Sequence, residues 1–120
     1  IVPGFNGTQR LPKCIGMNKA KEILFTGKML TAADALELGI LNHVTEPEQL
    51  MDEVYAMAGQ IADNSASAIS LVKAAVNAGA DMDIDIGKNI ELGYMAACFG
   101  TPDQIEGFAS FKEKRAAKFR

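Results

Sequence analysis

Phe99-Gly100-Thr101-Pro102-Asp103-Gln104-Ile105-Glu106-Gly107-Phe108-Ala109-Ser110-Phe111-Lys112-Glu113-Lys114-Arg115 is the stretch whose reading decides the fold class. Thr101 is a hydroxyl cap, and Pro102 takes the first helical position, where a missing N–H costs nothing. Ile105, Phe108 and Ala109 then recur at helical spacing, which predicts a helix over about 102–115 with those three side chains inward. Working back toward the N-terminus, Ile86, Ile90, Tyr94 and Ala97 lie on one face of a helix predicted over roughly 84–99. Gly93, Ala96, Ala97 and Gly107 are small enough for close helix approach, or for an apolar face offered to a partner chain.

The same periodicity continues upstream. Ile69, Val72 and Val76 place a helix after the Asn64-Ser65 punctuation, stopping near Gly79. Leu50, Val54, Ala58 and Ile61 place another from about Pro47 to Asp63. Ile40-Leu41-Asn42-His43-Val44 is the one strand-like run, and no partner strand for it is evident. Thr31-Ala32-Ala33-Asp34 is a capping-box variant opening a short helix that Gly39 ends. Ala20, Ile23 and Leu24 share a face of a helix over 17–26, with Gly27 as its stop. Residues 4–15 read as a loop feeding a short or irregular helix, because Pro12 is tolerated only in a first turn. Five to seven consecutive helices with short loops make the chain mainly α, and no repeat of 20–50 residues holds.

With 120 residues, 48% hydrophobic and 22% charged, the chain is at most one domain of ordinary globular composition. It is neither disordered nor low-complexity. No apolar run is long enough to span a bilayer, so no membrane partner is expected. The net charge of −3 argues against a nucleic-acid partner. Charge is nevertheless uneven: Lys112, Lys114, Arg115, Lys118 and Arg120 crowd the C-terminus with one acid, Glu113, among them. Two distant cysteines, Cys14 and Cys98, form no disulfide framework and fit a reducing cytoplasm. The start Ile1-Val2-Pro3-Gly4 shows no signal-peptide pattern and no Met, so the chain is expected to begin inside a longer polypeptide.

Few residues suggest chemistry by themselves. Asp81-Met82-Asp83-Ile84-Asp85 fails as a calcium loop, since Ile86 stands where Gly is needed and Leu92 where Glu is needed; it reads as an acidic first turn. His43, the single histidine, has no Cys or acid at ligand spacing, so no metal site is expected. Cys14 and Cys98 read as inert core thiols, and the pairs Asp52/Glu53 and Asp34/Glu37 as solvated helix faces. Pro3-Gly4-Phe5-Asn6-Gly7-Thr8-Gln9-Arg10-Leu11 is either a plain turn before a helix or a place where glycine backbone approaches a ligand. The basic end either suits the helix dipole or binds phosphate. On one continuous helix, Lys114 and Lys118 would share a face with Phe111.

That Pro3–Leu11 stretch resembles the crotonase (enoyl-CoA hydratase/isomerase) superfamily. Further segments agree with the family in order: Ala20-Lys21-Glu22-Ile23-Leu24-Phe25-Thr26-Gly27, Ala32 to Val44, Ile61 to Ser65, Lys73 to Asn77, and Phe99 to Arg115. The resemblance covers the whole chain and the end of the family's polypeptide. It implies the C-terminal helical (trimerisation) region of the crotonase fold without the N-terminal ββα spiral. Residues 1–44 would be the end of the spiral core with short helices, and residues 45–120 the helical oligomerisation region. The implied activity of the parent protein is addition of water to trans-2-enoyl-CoA thioesters, with isomerisation, dehydration or a purely non-catalytic oligomerisation module as alternatives.

By the same resemblance, the two catalytic glutamates precede Ile1, so the segment alone is expected to be inactive. Gly4 matches the glycine whose backbone amide positions the water. Phe111 and Lys114 match positions in the last helix that reach the CoA or acyl chain bound by a neighbouring subunit, and Met95 falls where the family often carries an aromatic against the acyl chain. Asn6 departs from the family's usual glycine and is expected to tighten the loop or cap the helix. The resemblance implies no cofactor, since CoA is part of the substrate. It also implies a homo-oligomer, a trimer or hexamer; the cytoplasm is expected from the cysteines alone.

Overall fold

The computed structural model describes residues Ile1–Phe119, and every regular element among them is a helix. Arg120, counted above with the basic end, lies outside the described residues. The chain divides into two compact units, Ile1–Leu50 and the unit that begins at Met51.

The first unit holds α1 (Gly7–Ile15), α2 (Met17–Thr26), α3 (Ala32–Glu37) and a 3₁₀ turn at Pro47–Gln49. Pro12 sits inside α1, which is short as expected, although the proline lies beyond its first turn. The helix bears this because it is short and stops one turn later at Gly16, whose φ of 82° only glycine adopts readily, and whose N–H donates to the Pro12 carbonyl at 2.9 Å. α1 and α2 pack on each other. Ala20 of α2 is 0% exposed and is the one buried apolar side chain among the described residues. Gly27, in the left-handed region at φ 63°, closes α2.

Both ends of α3 are satisfied locally. Thr31 Oγ1 accepts from the Asp34 amide at 3.1 Å, while Asp34 Oδ2 accepts from the Thr31 amide at 2.9 Å, a complete capping box. At the other end the Gly39 amide donates to the Leu36 carbonyl at 3.0 Å and the Ile40 amide to Ala35 at 2.8 Å, the paired bonds of a Schellman stop. This explains why Ile40–Val44 is not the strand that its composition suggests: it is irregular. The Ile40 and Leu41 amides both donate to the Ala35 carbonyl, so they are committed to the helix end, and no strand among the described residues pairs with the run.

The second unit contains α4 (Leu50–Ala62, starting at the boundary), α5 (Ala66–Gly79), α6 (Ile84–Cys98) and α7 (Pro102–Glu113). α5 and α6 pack against each other. A Cβ on Gly79 would lie 3.8 Å from the Gly87 Cα, so the two backbones come close through glycine. The expected inward faces are largely open. α4 is exposed along its whole length. Ile90 and Tyr94 of α6 are half-buried but Ile86 is exposed. In α7, Ile105 and Phe108 face solvent, Phe108 at 65% exposure, and the buried residues are Asp103 and Ser110. The inward side of α7 is thus its polar side, because Asp103 is drawn to the hydroxyls described below. Among the described residues no helix is long and apolar enough to cross a membrane.

Candidate functional site

In the first unit the site begins at the turn Gly4–Asn6. Asn6 takes the left-handed conformation at φ 67°, which Asn tolerates better than most residues. Its carbonyl accepts from the Gln9 amide at 3.0 Å and the Arg10 amide at 2.8 Å. The Asn6 side chain makes no capping bond, so the expected cap is supplied by the backbone instead. Space at Gly7 is tight: a Cβ there would lie 3.1 Å from Pro3 Cβ. Gly4 is exposed in this turn. Beside the turn opens a cleft of about 650 Å³ whose lining includes Phe5, Gly7, Arg10, Lys13, Cys14 and Ile40. Cys14 is exposed rather than a core thiol, and its Sγ donates to the Gly39 carbonyl at 3.3 Å. Cys98 is half-buried.

In the second unit Met95 of α6 is 55% exposed and Phe111 of α7 is 85% exposed. Lys114 is not helical. It sits just past the end of α7 at φ 55°. The Lys114 amide donates to the Phe111 carbonyl at 3.2 Å and the Arg115 amide to Ser110 at 3.0 Å, the Schellman geometry with lysine where glycine is usual. The shared helical face of Phe111, Lys114 and Lys118 is therefore absent, because the chain reverses at Lys114 and Lys118 belongs to the returning segment. Phe111 and Lys114 remain neighbours across the helix end.

The returning segment is pinned by one carboxylate. Glu106 accepts from Arg115 Nη1 at 2.5 Å, from Arg115 Nη2 at 2.9 Å and from the Lys118 amide at 2.7 Å. Arg115 Nε donates to Glu113 at 2.6 Å. The Arg115 fork, followed by the Lys118 amide, lowers the Glu106 carboxyl to about 2, and the two glutamates raise Arg115. A cleft of about 610 Å³ lies here, lined by Pro102, Ile105, Glu106, Ala109, Arg115 and Lys118 among others. Glu106 is a committed ion-pair partner, unsuited to proton transfer near neutral pH. Asp34, lowered chiefly by its bonds to Thr31, is likewise structural.

One cluster escaped the sequence reading. Ser65 Oγ donates to Asp103 Oδ2 at 2.6 Å, and Ser67 Oγ donates to the same oxygen at 3.1 Å. Ser65 also caps α5 by accepting from the Ala68 amide at 3.1 Å. Ser65 is 7% and Asp103 9% exposed. Two helix starts thus meet at one carboxylate, which suits the positive ends of both dipoles. The available signal was a Ser at an N-cap and an Asp just after an N1 proline, each already explained by its own helix. Among the described residues no group of three or more His, Cys, Asp or Glu side chains is placed to hold a metal ion.

Comparison with known proteins adds what the geometry leaves open. A family described as enoyl-CoA hydratase/isomerase matches residues 1–120. The chain is 44% identical over 119 residues to a crotonyl-CoA hydratase of Syntrophomonas wolfei, covering 99% of this chain and 46% of that protein. It is 45% identical over 112 residues to a short-chain-enoyl-CoA hydratase of Clostridioides difficile, covering 93% and 72%. The crystal structure of an enoyl-CoA hydratase from Bacillus anthracis superposes with a TM-score of 0.95 at 36% identity, covering 99% of this chain and 46% of that one. The chain thus spans about half the length of several relatives it matches.

Proposed function

Since the chain belongs to the enoyl-CoA hydratase/isomerase family, its helices being the C-terminal helical region of the crotonase fold, we propose that the protein carrying it adds water across trans-2-enoyl-CoA to give 3-hydroxyacyl-CoA. The observation that carries this reading is the identity of 41–45% to three relatives named as hydratases of crotonyl-CoA or short-chain enoyl-CoA. The acid/base glutamates, as the family resemblance implies, belong to chain before residue 1. Residues 1–120 then contribute the Gly4 amide, which holds the attacking water, and the groups that seat the thioester. A fixed amide in a water-excluded site stabilises what develops in the transition state without reorganising.

Met95 lies against the acyl chain, and Phe111 and Lys114 contact the CoA moiety. The support is their position at or near helix surfaces with open side chains, which a ligand or a neighbouring subunit covers. Exposed Val54, Ile61, Val72, Val76, Leu92 and Phe108 favour a homo-oligomer, most simply a trimer or hexamer, because apolar area left in water drives association. The reaction requires no metal or cofactor, CoA being part of the substrate, and takes place in the cytoplasm.

The test is loss of the conjugated-thioester absorbance on adding crotonyl-CoA to the full-length protein. Hydration with no isomerised product is expected; double-bond migration without hydration would overturn the assignment in favour of an isomerase. A chain verified to contain residues 1–120 alone is expected to show no turnover, and turnover would overturn the placement of the glutamates.

A further inference from the structure

We infer that Glu106 is a positioning residue for acyl-CoA binding: by holding the strap that follows α7, it aims Lys114 at the ligand. The inference rests on the proposed role of Lys114 and goes beyond it, since Glu106 itself touches no substrate.

The geometry is that of a clamp. Lys114 occupies the reversal point at φ 55°, in a region that costs a residue with a Cβ about 1–2 kcal/mol. Such a conformation persists only when neighbours over-determine it. On its N-terminal side the helix supplies the Phe111 and Ser110 carbonyls. On its C-terminal side Arg115 Nε donates to Glu113 at 2.6 Å, and the remaining long-range bonds lead to Glu106. Both terminal nitrogens of Arg115 donate to its two oxygens, and the Lys118 amide donates to Oε1. Phe119 then reaches α7, its Cε1 lying 3.9 Å from where a Cβ on Gly107 would stand.

One half-buried carboxylate, with 24% of its side chain exposed, therefore ties down residues on the far side of the turn at two points. Without it, residues 115–118 keep the Arg115 bond to Glu113 but lose the two-point anchor that opposes relaxation of Lys114 to an unstrained φ, and the ammonium no longer projects from a fixed place. A lysine is a point charge on a flexible stem, so its affinity for a phosphate depends on where its backbone is held. The bidentate Arg115 fork suits this duty because it fixes orientation as well as distance.

The test is a double-mutant cycle in the full-length, catalytically active protein, reading KM and kcat for crotonyl-CoA and the Kd of non-reactive butyryl-CoA at low salt. Glu106→Gln and Arg115→Lys each remove the charged fork while keeping polar side chains of similar size. Each is expected to raise KM and Kd about threefold to fivefold with kcat within about twofold, the split that marks lost uniform binding. In a Lys114→Ala background, Glu106→Gln is expected to add nothing further. A general loss of folding would lower kcat and active fraction without this background dependence. If Lys114→Ala raises KM but Glu106→Gln leaves it unchanged, or raises it equally in both backgrounds, the inference is overturned while the Lys114 reading stands. If Lys114→Ala itself leaves KM and Kd unchanged, the Lys114 reading fails and takes the inference with it.

Discussion

Replacing Ser65 by Ala removes three contacts of one hydroxyl at once; one is a 2.9 Å contact with Ser67 Oγ, and the sizes of the other two can be worked from the structure. The hydroxyl caps α5 through the Ala68 amide at 3.1 Å, a role whose loss costs about 1 kcal/mol. It also donates to a buried carboxylate at 2.6 Å, and hydrogen bonds to charged groups contribute about 1.5–3 kcal/mol. Ser67 keeps its own 3.1 Å bond to Asp103, so the carboxylate is weakened rather than abandoned. The expected loss is about 3 kcal/mol. Thr101→Ala is the control: it removes an N-cap of the same kind at α7, accepting from the Gln104 amide at 3.2 Å, and a bond donated to the Cys98 carbonyl at 2.8 Å, with no carboxylate partner, and should cost about 1–2 kcal/mol. Urea denaturation of the full-length protein measures both as changes in midpoint at constant slope. Combined with Asp103→Asn, Ser65→Ala should show a coupling energy of about 1–2 kcal/mol, as residues in one network do. If Ser65→Ala costs no more than Thr101→Ala, the tie between the α5 and α7 starts contributes nothing beyond capping and the reasoning is refuted.

Three further outcomes are expected. Glu106 has a folded value of about 2 against an ordinary 4.5. As pH falls the unfolded chain takes the proton first, so its contribution is complete above about 4.5 and lost as pH falls toward 2; Glu106→Gln should flatten the stability curve across that window in acid titration followed by circular dichroism. Lys114→Gly relieves the left-handed backbone and should stabilise by about 0.5–1 kcal/mol in thermal melts, yet raise KM for acyl-CoA as Lys114→Ala does, so stability and binding move in opposite directions. Gly7→Ala puts a Cβ 3.1 Å from Pro3 Cβ and should cost about 1 kcal/mol of strain; by shifting the turn that carries Gly4 it should lower kcat with little change in KM, and an unaltered kcat would separate the turn from the chemistry.

The helices were legible because their determinants are local. Thr31 with Asp34 and Thr101 with Pro102 mark starts, Gly27 and Gly39 mark stops, and a hydroxyl or a positive φ acts within one turn whatever lies elsewhere. The family motifs are local strings of the same kind. What the sequence could not determine were the consequences of partners distant along the chain. Ile40–Val44 has strand composition, but a strand exists only when another strand accepts its amides, and here those amides close α3. The apolar stripe of Ile105 and Phe108 predicts an inward face, yet periodicity says only that a face is apolar, not that this chain covers it. The 38-residue separation between Ser65 and Asp103 is invisible to any window, and so is the reversal at Lys114, which no glycine announces. Its left-handed backbone is held by Glu106 reaching Arg115 across nine residues. Propensity and capping are decided by neighbours in sequence. Which carboxylate is buried, and which lysine is held still, is decided by neighbours in space.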